Sequence, residues 1–522
     1  MARAPKTAAS GLAKAAVLYA CRARRWHRLG KGRLMRSYGL RVTVVVLLAA
    51  LVLAAWGQHR DDGSVHLVIL HVNDTHGCLE PFAQADGKRV GGAARLATMI
   101  RQVRSENPGR VLLLHAGDIL SKGGPLTIWY AGDADFRAMN LMGFDALTPG
   151  NGDFYFGLGN LQRVAKLASF PFLHGNIAYR DTGQRPFAPY VIKEVAGVRV
   201  GLLGVGRVRA DHPSARALNY RDPVAIAKGL ASEVAPKVDL LVALTHIGLD
   251  NDQRLAAEAP EIDLIVGGDS HSQVEVPIRV TREGAAGETV IAQAGDTGRF
   301  LGRLDVYADK RGPKYRVEKI EGRLEPVSES IPEEPQIAKL LARYRAPLDR
   351  PLFTSQVTLA SPEAGPNPMG EFVAEAMRAE TGADVALLDR GGVQSGITLG
   401  TGTLADVCRI HPWRNRVLVV AVTGGQLREA VALPDILLAG CTFRRNGSTV
   451  VDLTVRGRPV AADRTYAVAV GDYLFWTTPS LNALPWRDSG QRVDTLLARF
   501  LKRRLSPLLP QGEMNHGHPE PR

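Results

Sequence analysis

The sequence predicts a layered α/β protein of two domains. Three observations carry that expectation. The chain has 522 residues, too many for one hydrophobic core. Its composition, 45% apolar and 22% charged, excludes global disorder. Beyond residue 64, short apolar runs alternate with longer stretches of helical periodicity, the pattern of strands layered with helices.

The N-terminal segment is set apart by charge. Residues 1–41 hold eleven Lys or Arg and no Asp or Glu, which is most of the formal +13. Residues 42–522 hold 54 basic and 52 acidic residues, so the body is nearly neutral and a nucleic-acid surface finds little support. The basic stretch runs into Val42–Trp56, fifteen residues without a charge. A membrane span needs roughly 20 apolar residues and a secretory h-region about 7–15. The run therefore fits an export signal better than a permanent span. A start at Met35 would give a compact signal peptide with its own basic n-region, leaving residues 1–34 as an upstream extension. The alternative is an uncleaved anchor with a basic cytoplasmic tail. Either way the expected location is periplasmic or extracellular, with membrane contact only through residues 1–57.

Cysteines beyond the leader are Cys78, Cys408 and Cys441, with no C-x-x-C spacing, so a structural zinc site is not expected. Cys408 and Cys441 fit a disulfide or two buried thiols equally well.

In the first domain, placed at 64–310, strands are expected at His66–His71, Val111–His115, Arg199–Val205, Val238–Leu244 and Ile262–Val266. Helices are expected at Ala93–Glu106, Ala134–Met142, Gly159–Leu167 and Pro223–Ala235. Residues 311–352 read as a charged linker with one amphipathic helix between prolines. A second α/β unit at 353–506 has a helix at Met369–Thr381 and strands at Asp384–Leu388, Arg416–Val422 and Tyr466–Gly471. The tail, 507–522, is rich in Pro, His and Gly and reads as disordered.

Metal-type residues stand just after the strands. Asp74 and His76 follow HLVILHVN, Asp118 follows VLLLHAG, Asn151 follows DALTPG, His246 follows LLVALT, and Asp269 and His271 follow LIVGG. Taken singly, each has an ordinary reading as a turn residue, a cap or a core histidine. Five strand ends that each deliver Asp, His or Asn are hard to explain by packing, because functional residues gather at the carboxyl ends of strands. Mixed oxygen and imidazole donors suit Zn, Mn or Fe. Seven ligands are too many for one ion, and Asp118 is placed to bridge two ions about 3.5–4 Å apart.

HVNDTHG, HAGD, PGNGDF, LTHIGLD and GGDSH resemble the five blocks of the calcineurin-like metallophosphoesterases, most closely the secreted 5′-nucleotidase/UDP-sugar hydrolase branch. The segment GGAARLATMI is similar to that branch too. NPMGEFVAEAMRAETGADVALLDRGGVQSGI and IHPWRNRVLVVAVTGGQL resemble its C-terminal substrate domain. The resemblance covers about residues 65–475. It implies a β-sandwich flanked by helices, followed by a smaller α/β domain. It also implies two divalent ions and hydrolysis of a small phosphoester, nucleotide-like, by metal-activated water. By position, Asp74 and His76 match ligands of the first metal, Asp118 the bridge, Asn151 and His246 ligands of the second, and His271 the last ligand.

This chain departs from the family at several positions. The family's Gly-Asn-His-Glu-Phe-Asp reads Gly150-Asn151-Gly152-Asp153-Phe154-Tyr155, so both members of its His/Asp dyad are missing. A positioned proton donor contributes about 10²–10⁴-fold. Asp153, Tyr155 and His115 are the candidate replacements. Asp269 stands where the family has His, which shifts preference toward Mn or Fe over Zn. In the second domain Gln394 replaces an arginine and Asp389 an asparagine, with Arg390 a possible substitute donor. Trp413 and Asn415 keep an aromatic face and an amide for a base, whereas the glycine-rich segment expected after Tyr473 is absent. Three readings follow: an active phosphoesterase with altered preference, a thiosulfohydrolase-like hydrolase, and a module that binds metal and nucleotide without catalysis.

Overall fold

The computed structural model describes residues 63–505, apart from 122, 210–211, 282–286 and 448. The leader, including Val42–Trp56 and Met35, and the tail from 507 lie outside the described residues. Among the described residues no helix is long and apolar enough to cross a membrane.

Two sheets stack face to face in the first domain. One has five strands in the order Lys314–Pro326, Phe300–Arg311, Ser64–Val72, Val111–His115, Ala146–Leu147. The other has six, in the order Ile278–Thr281, Glu288–Ala292, Leu264–Val266, Leu240–His246, Val198–Gly206, Tyr190–Val195. Alternate residues of a strand face opposite sides. Leu67 and Ile69 therefore join Leu202, Val242 and Leu264 between the sheets. Val68 and Leu70 point the other way, onto the helices Ala93–Glu106 and Asp133–Met142. The helices Pro223–Val234 and Leu249–Glu258 cover the outer face of the second sheet. The result is a β-sandwich flanked by helices.

Strands that carry the site are labelled β1 (Ser64–Val72), β2 (Val111–His115), β3 (Ala146–Leu147), β4 (Val198–Gly206), β5 (Leu240–His246) and β6 (Leu264–Val266). β1, β2 and β3 run parallel, as do β4, β5 and β6, so all six end on the same edge of their sheets. β5 lies two residues beyond the expected Val238–Leu244, because its pairing with β4 continues to His246 opposite Gly206. His246 is thus the last strand residue and is held by the ladder.

The segment read as a linker opens with a strand, Lys314–Pro326, at the edge of the first sheet. Its alternating charges, KYRVEKIEGRLEP, suit an edge that faces solvent on one side, which is why it reads as linker. The helix Pro335–Leu348 follows, with Glu334 as N-cap, its side chain accepting from the Ile337 amide at 2.9 Å. This helix packs Ile337, Leu341 and Leu348 into the first domain's core.

The second domain has a five-stranded sheet, Ile436–Ala439, Val385–Asp389, Thr465–Gly471, Arg416–Thr423, Trp486–Arg492. Helices Pro368–Thr381 and Val493–Leu505 cover one face and Gly424–Ala432 the other. Cys408 and Cys441 are both free thiols, so the disulfide alternative does not hold.

Candidate metal centre

Five strand ends bring the candidate ligands together. Asp74 and His76 follow β1, Asp118 follows β2, Asn151 follows β3, His246 ends β5, and Asp269 and His271 follow β6. Asp74 Oδ1 lies 3.4 Å from His271 Nε2, 3.9 Å from His246 Nε2 and 4.0 Å from His76 Nε2. His246 Nε2 lies 3.3 Å from Asp118 Oδ1 and 3.8 Å from Asp269 Oδ1. Two ligand groups result, Asp74–His76–His271 and Asp74–Asp118–His246, each with donor atoms within 4.8 Å of one another. Donors sharing one ion at about 2.1 Å in a tetrahedron stand about 3.4 Å apart.

The donor set fits cations on a second ground. Asp74 Oδ1 and His246 Nε2 are buried and have no hydrogen-bond partner. Buried polar atoms normally find one. Burial works against charge on His246, yet Asp118, Asp74 and Asp269 hold its pKa up at about 9. Asp74 is held below the usual carboxylate range in spite of burial, by His246, His271, Asn73 and His76. The field of this site favours positive charge. In this structure the carboxylate common to both groups is Asp74. Asp118, the bridge by position in the sequence, keeps Oδ1 3.3 Å from His246 Nε2 while that oxygen also accepts from the Gly152 amide at 2.7 Å.

The ligands are aimed by neighbours that sequence reasoning missed. His246 Nδ1 donates to the Ala116 carbonyl at 2.6 Å, which leaves Nε2 for the site. His76 Nδ1 pairs with Ser121 Oγ at 2.9 Å and so turns Nε2 inward. Asn73 Nδ2 donates to Asp74 Oδ2 at 2.8 Å, and the Asp269 amide donates to the same oxygen at 3.0 Å. Five of the seven candidates, Asp74, His76, Asp118, Asp269 and His271, have positive φ. Such residues sit in the left-handed region, which bends the chain sharply enough to turn the side chain back over the strand end.

Asn151 places its amide 3.0 Å from Asp269 Oδ1 and 3.0 Å from Tyr155 Oη. With its nitrogen toward Asp269, the oxygen accepts from Tyr155 and from the Gly152 amide. With its oxygen toward the site, as ligation requires, Nδ2 donates to Tyr155 Oη.

The three candidate proton donors fare differently. Asp153 is fully buried and accepts four backbone amides: Ile119 (2.8 Å) and Leu120 (2.9 Å) on Oδ1, Asp118 (2.9 Å) and Gly150 (2.8 Å) on Oδ2. Both oxygens are committed, so the residue ties the Asp118 loop to the Asn151 loop and does not face substrate. His115 accepts from the Gly117 amide at 3.1 Å and pairs with Thr75 Oγ1 at 3.0 Å. Burial pushes its pKa down to about 3, so it is neutral and its one proton is used. Tyr155 remains beside the centre through Asn151. Its ring packs at a tilt against His212 (4.5 Å between centroids), which meets Tyr473 of the second domain (5.6 Å).

Gly152 has a packing reason. A Cβ there would lie 2.1 Å from Ser121 Oγ, the group that orients His76.

In the second domain Trp413 Nε1 donates to the Gly391 carbonyl at 3.0 Å and Asn415 Nδ2 to Asp472 Oδ1 at 2.9 Å. Arg390 Nη2 donates to the Gly365 carbonyl at 2.8 Å, within its own domain. Asp389 is pushed up to about 6 by burial and by Asp472. Arg414 also joins the domains: its Nη1 donates to the Ile128 carbonyl and, at 2.9 Å, to that of Trp129.

Comparison with known families agrees with this geometry. Residues 67–273 match the calcineurin-like phosphoesterases and residues 346–478 match the 5′-nucleotidase C-terminal domain. The first stretch is thus a calcineurin-like phosphoesterase domain and the second a 5′-nucleotidase C-terminal domain. It is 29% identical to the trifunctional nucleotide phosphoesterase protein YfkN of Bacillus subtilis over 79% of this chain, spanning only 32% of that longer protein. It is 27% identical to protein UshA of Yersinia enterocolitica over 88% of this chain and 93% of the relative. A 5′-nucleotidase precursor from Thermus thermophilus has the same fold, with a TM-score of 0.60 at 24% identity over 84% of this chain and 96% of that one. In the phosphoesterase domain all seven candidate ligands fall at strand ends, five of them in the two ligand groups.

Proposed function

We propose that this chain is an exported two-metal phosphoester hydrolase of the 5′-nucleotidase kind, acting on a nucleotide or related small phosphoester. The observation that carries the reading is the convergence of Asp74, His76, Asp118, His246 and His271 around two buried, unpartnered donor atoms. Asp74, His76, Asp118 and His271 would hold one ion, and Asp118, Asn151, His246 and Asp269 the other. Mn, Fe or Zn suits this donor set. Two such ions would neutralise phosphoryl charge and lower the pKa of water for attack on phosphorus.

The chain's own residues do the rest. Ser121 and Ala116 fix the two imidazoles, so little rearrangement is needed when substrate arrives. Asp153 holds the Asp118 and Asn151 loops at a set spacing. Tyr155 sets the Asn151 amide from behind. Trp413 offers an aromatic face and Asn415, braced by Asp472, an amide for a base. The leader would direct the body out of the cytoplasm.

A second reading, a binding module without turnover, is favoured by one observation: Asp153 and His115 are both spent on the loops, so neither replaces the missing dyad.

The test uses the full chain loaded with Mn and assayed on AMP, UDP-glucose, an aryl phosphate and a thiosulfate conjugate. Turnover of the phosphoesters, lost in Asp118→Ala, is expected. No turnover by protein that carries two equivalents of metal overturns the hydrolase reading. Activity that survives Asp118→Ala overturns the site.

A further inference from the structure

Asp269 faces two ways. Oδ1 points inward, 3.8 Å from His246 Nε2 and 3.0 Å from the Asn151 amide. Oδ2 points outward and receives Arg207 Nη1 at 3.2 Å. Arg207 follows β4 directly, and its amide donates to the His246 carbonyl at 2.7 Å. Its main chain is therefore fixed to the strand end that carries a ligand. Its side chain is 60% exposed, whereas that of Asp269 is 13% exposed.

Charge explains why a cation belongs there. Asp74, Asp118 and Asp269 bring three negative charges to a pair of dications. A neutral imidazole at 269 would leave one positive charge more for the phosphoryl group. The Arg207 guanidinium restores it. Phosphoryl transfer spreads negative charge over the equatorial oxygens, and positioned cations stabilise it. Position 152 offers no side chain, Asp153 is held by four amides, and His115 is neutral. Arg299 is engaged with Asp296 on the His271 side. An exposed ion pair adds little to folding, so stability is a weak reason for Arg207.

We propose that Arg207 is the phosphate-pairing residue of this centre: held by Asp269, its guanidinium hydrogen-bonds the phosphoryl oxygens of the substrate and stabilises their charge in the transition state. It does the electrostatic work for which position 152 has no side chain. Guanidinium suits this task because its fork of donors engages two oxygens at once. The inference rests on the proposed phosphoesterase reading and is tested apart from it.

The probe is inorganic phosphate, titrated calorimetrically into the Mn-loaded full chain, with Mn affinity measured separately. Arg207→Ala should weaken phosphate binding about 10- to 100-fold, with Mn affinity within about threefold of wild type. Arg207→Lys should fall between, because it keeps charge without the fork. On a substrate that the wild type turns over, Arg207→Ala should lower kcat at least as much as it raises KM. Phosphate affinity unchanged in Arg207→Ala overturns the inference. So does loss of Mn binding in proportion to phosphate, which would make Arg207 a brace for Asp269 alone. Arg207-dependent phosphate binding by a chain that hydrolyses nothing would sink the hydrolase reading and leave phosphate pairing standing.

Discussion

Replacing Asp153 by asparagine separates two roles that the residue type alone confuses. The carboxylate accepts two amides on each oxygen, from Ile119 and Leu120 and from Asp118 and Gly150. An amide side chain keeps one acceptor and turns its NH₂ toward two N–H donors. Two bonds are lost and two buried donors are stranded, each at about 1–3 kcal/mol. The expected destabilisation is about 2–6 kcal/mol, a large part of the 5–15 kcal/mol typical of a folded domain. Because the clamp sets the spacing of Asp118 and Asn151, Mn affinity should fall at least about tenfold. Urea unfolding of the metal-free full chain, followed by circular dichroism, reads the first quantity, and Mn titration reads the second. A variant with an unchanged midpoint and intact Mn affinity but no turnover would refute the clamp and make Asp153 a proton donor after all.

Gly152→Ala should disturb His76, because the new Cβ meets Ser121 Oγ; Mn affinity is expected to fall, and an unchanged isotherm would show that Ser121 moves without consequence. The same contact predicts that Gly152→His with Tyr155→Asp fails to restore a dyad unless Ser121 is also reduced to glycine, which phosphatase assays of the two variants compare. Asp135 is pushed up to about 7 by burial, and its Oδ2 has no partner. The folded state therefore keeps a proton that the unfolded chain releases near pH 4, so this group's stabilisation is lost as pH rises from about 4 to about 7. Asp135→Asn should gain roughly 2–4 kcal/mol on wild type at pH 8, closing to nothing near pH 4, by denaturant midpoints at both pH values. Arg414→Gly removes a guanidinium from the Ile128 and Trp129 carbonyls and should speed limited proteolysis between the domains, while equal rates would show that the cross-link carries no load.

The strand ends were legible because the rule that places function there needs only apolar runs and the residues after them. Asp74, His76, Asp118, His246 and His271 follow from it, and the structure gathers them. The same rule reaches Arg207, next after β4, once basic residues are admitted beside Asp and His. Ser121 was not legible, since its partner His76 lies 45 positions away and a serine carries no pattern. Arg414 is more remote still, 286 positions from Ile128. Asp153 misled by type: a carboxylate in a catalytic block suggests a proton donor, but the direction of the Asp118–Leu120 amides is a property of the folded loop. Strand Lys314–Pro326 was missed for an opposite reason, because an edge strand with one wet face carries the charge pattern of a linker.

Backbone conformation ties these points together. A left-handed φ costs a residue with a side chain roughly 1–2 kcal/mol, and five ligands adopt it. The cost is smaller for Asp and His, which visit this region more readily than other side chains. It is offset by loop-to-loop hydrogen bonds: Asp74 N to Gly117 O (2.8 Å), His76 N to Asp118 O (2.9 Å) and Thr297 N to Asp74 O (2.7 Å). Asp153 adds four more from beneath. The loops thus hold their bends through each other, and the folded backbone sets the ligand positions. A site built this way tolerates a change at a half-exposed side chain, such as Tyr155 in place of the dyad's carboxylate, far better than it tolerates loss of a single carboxylate that faces only amides.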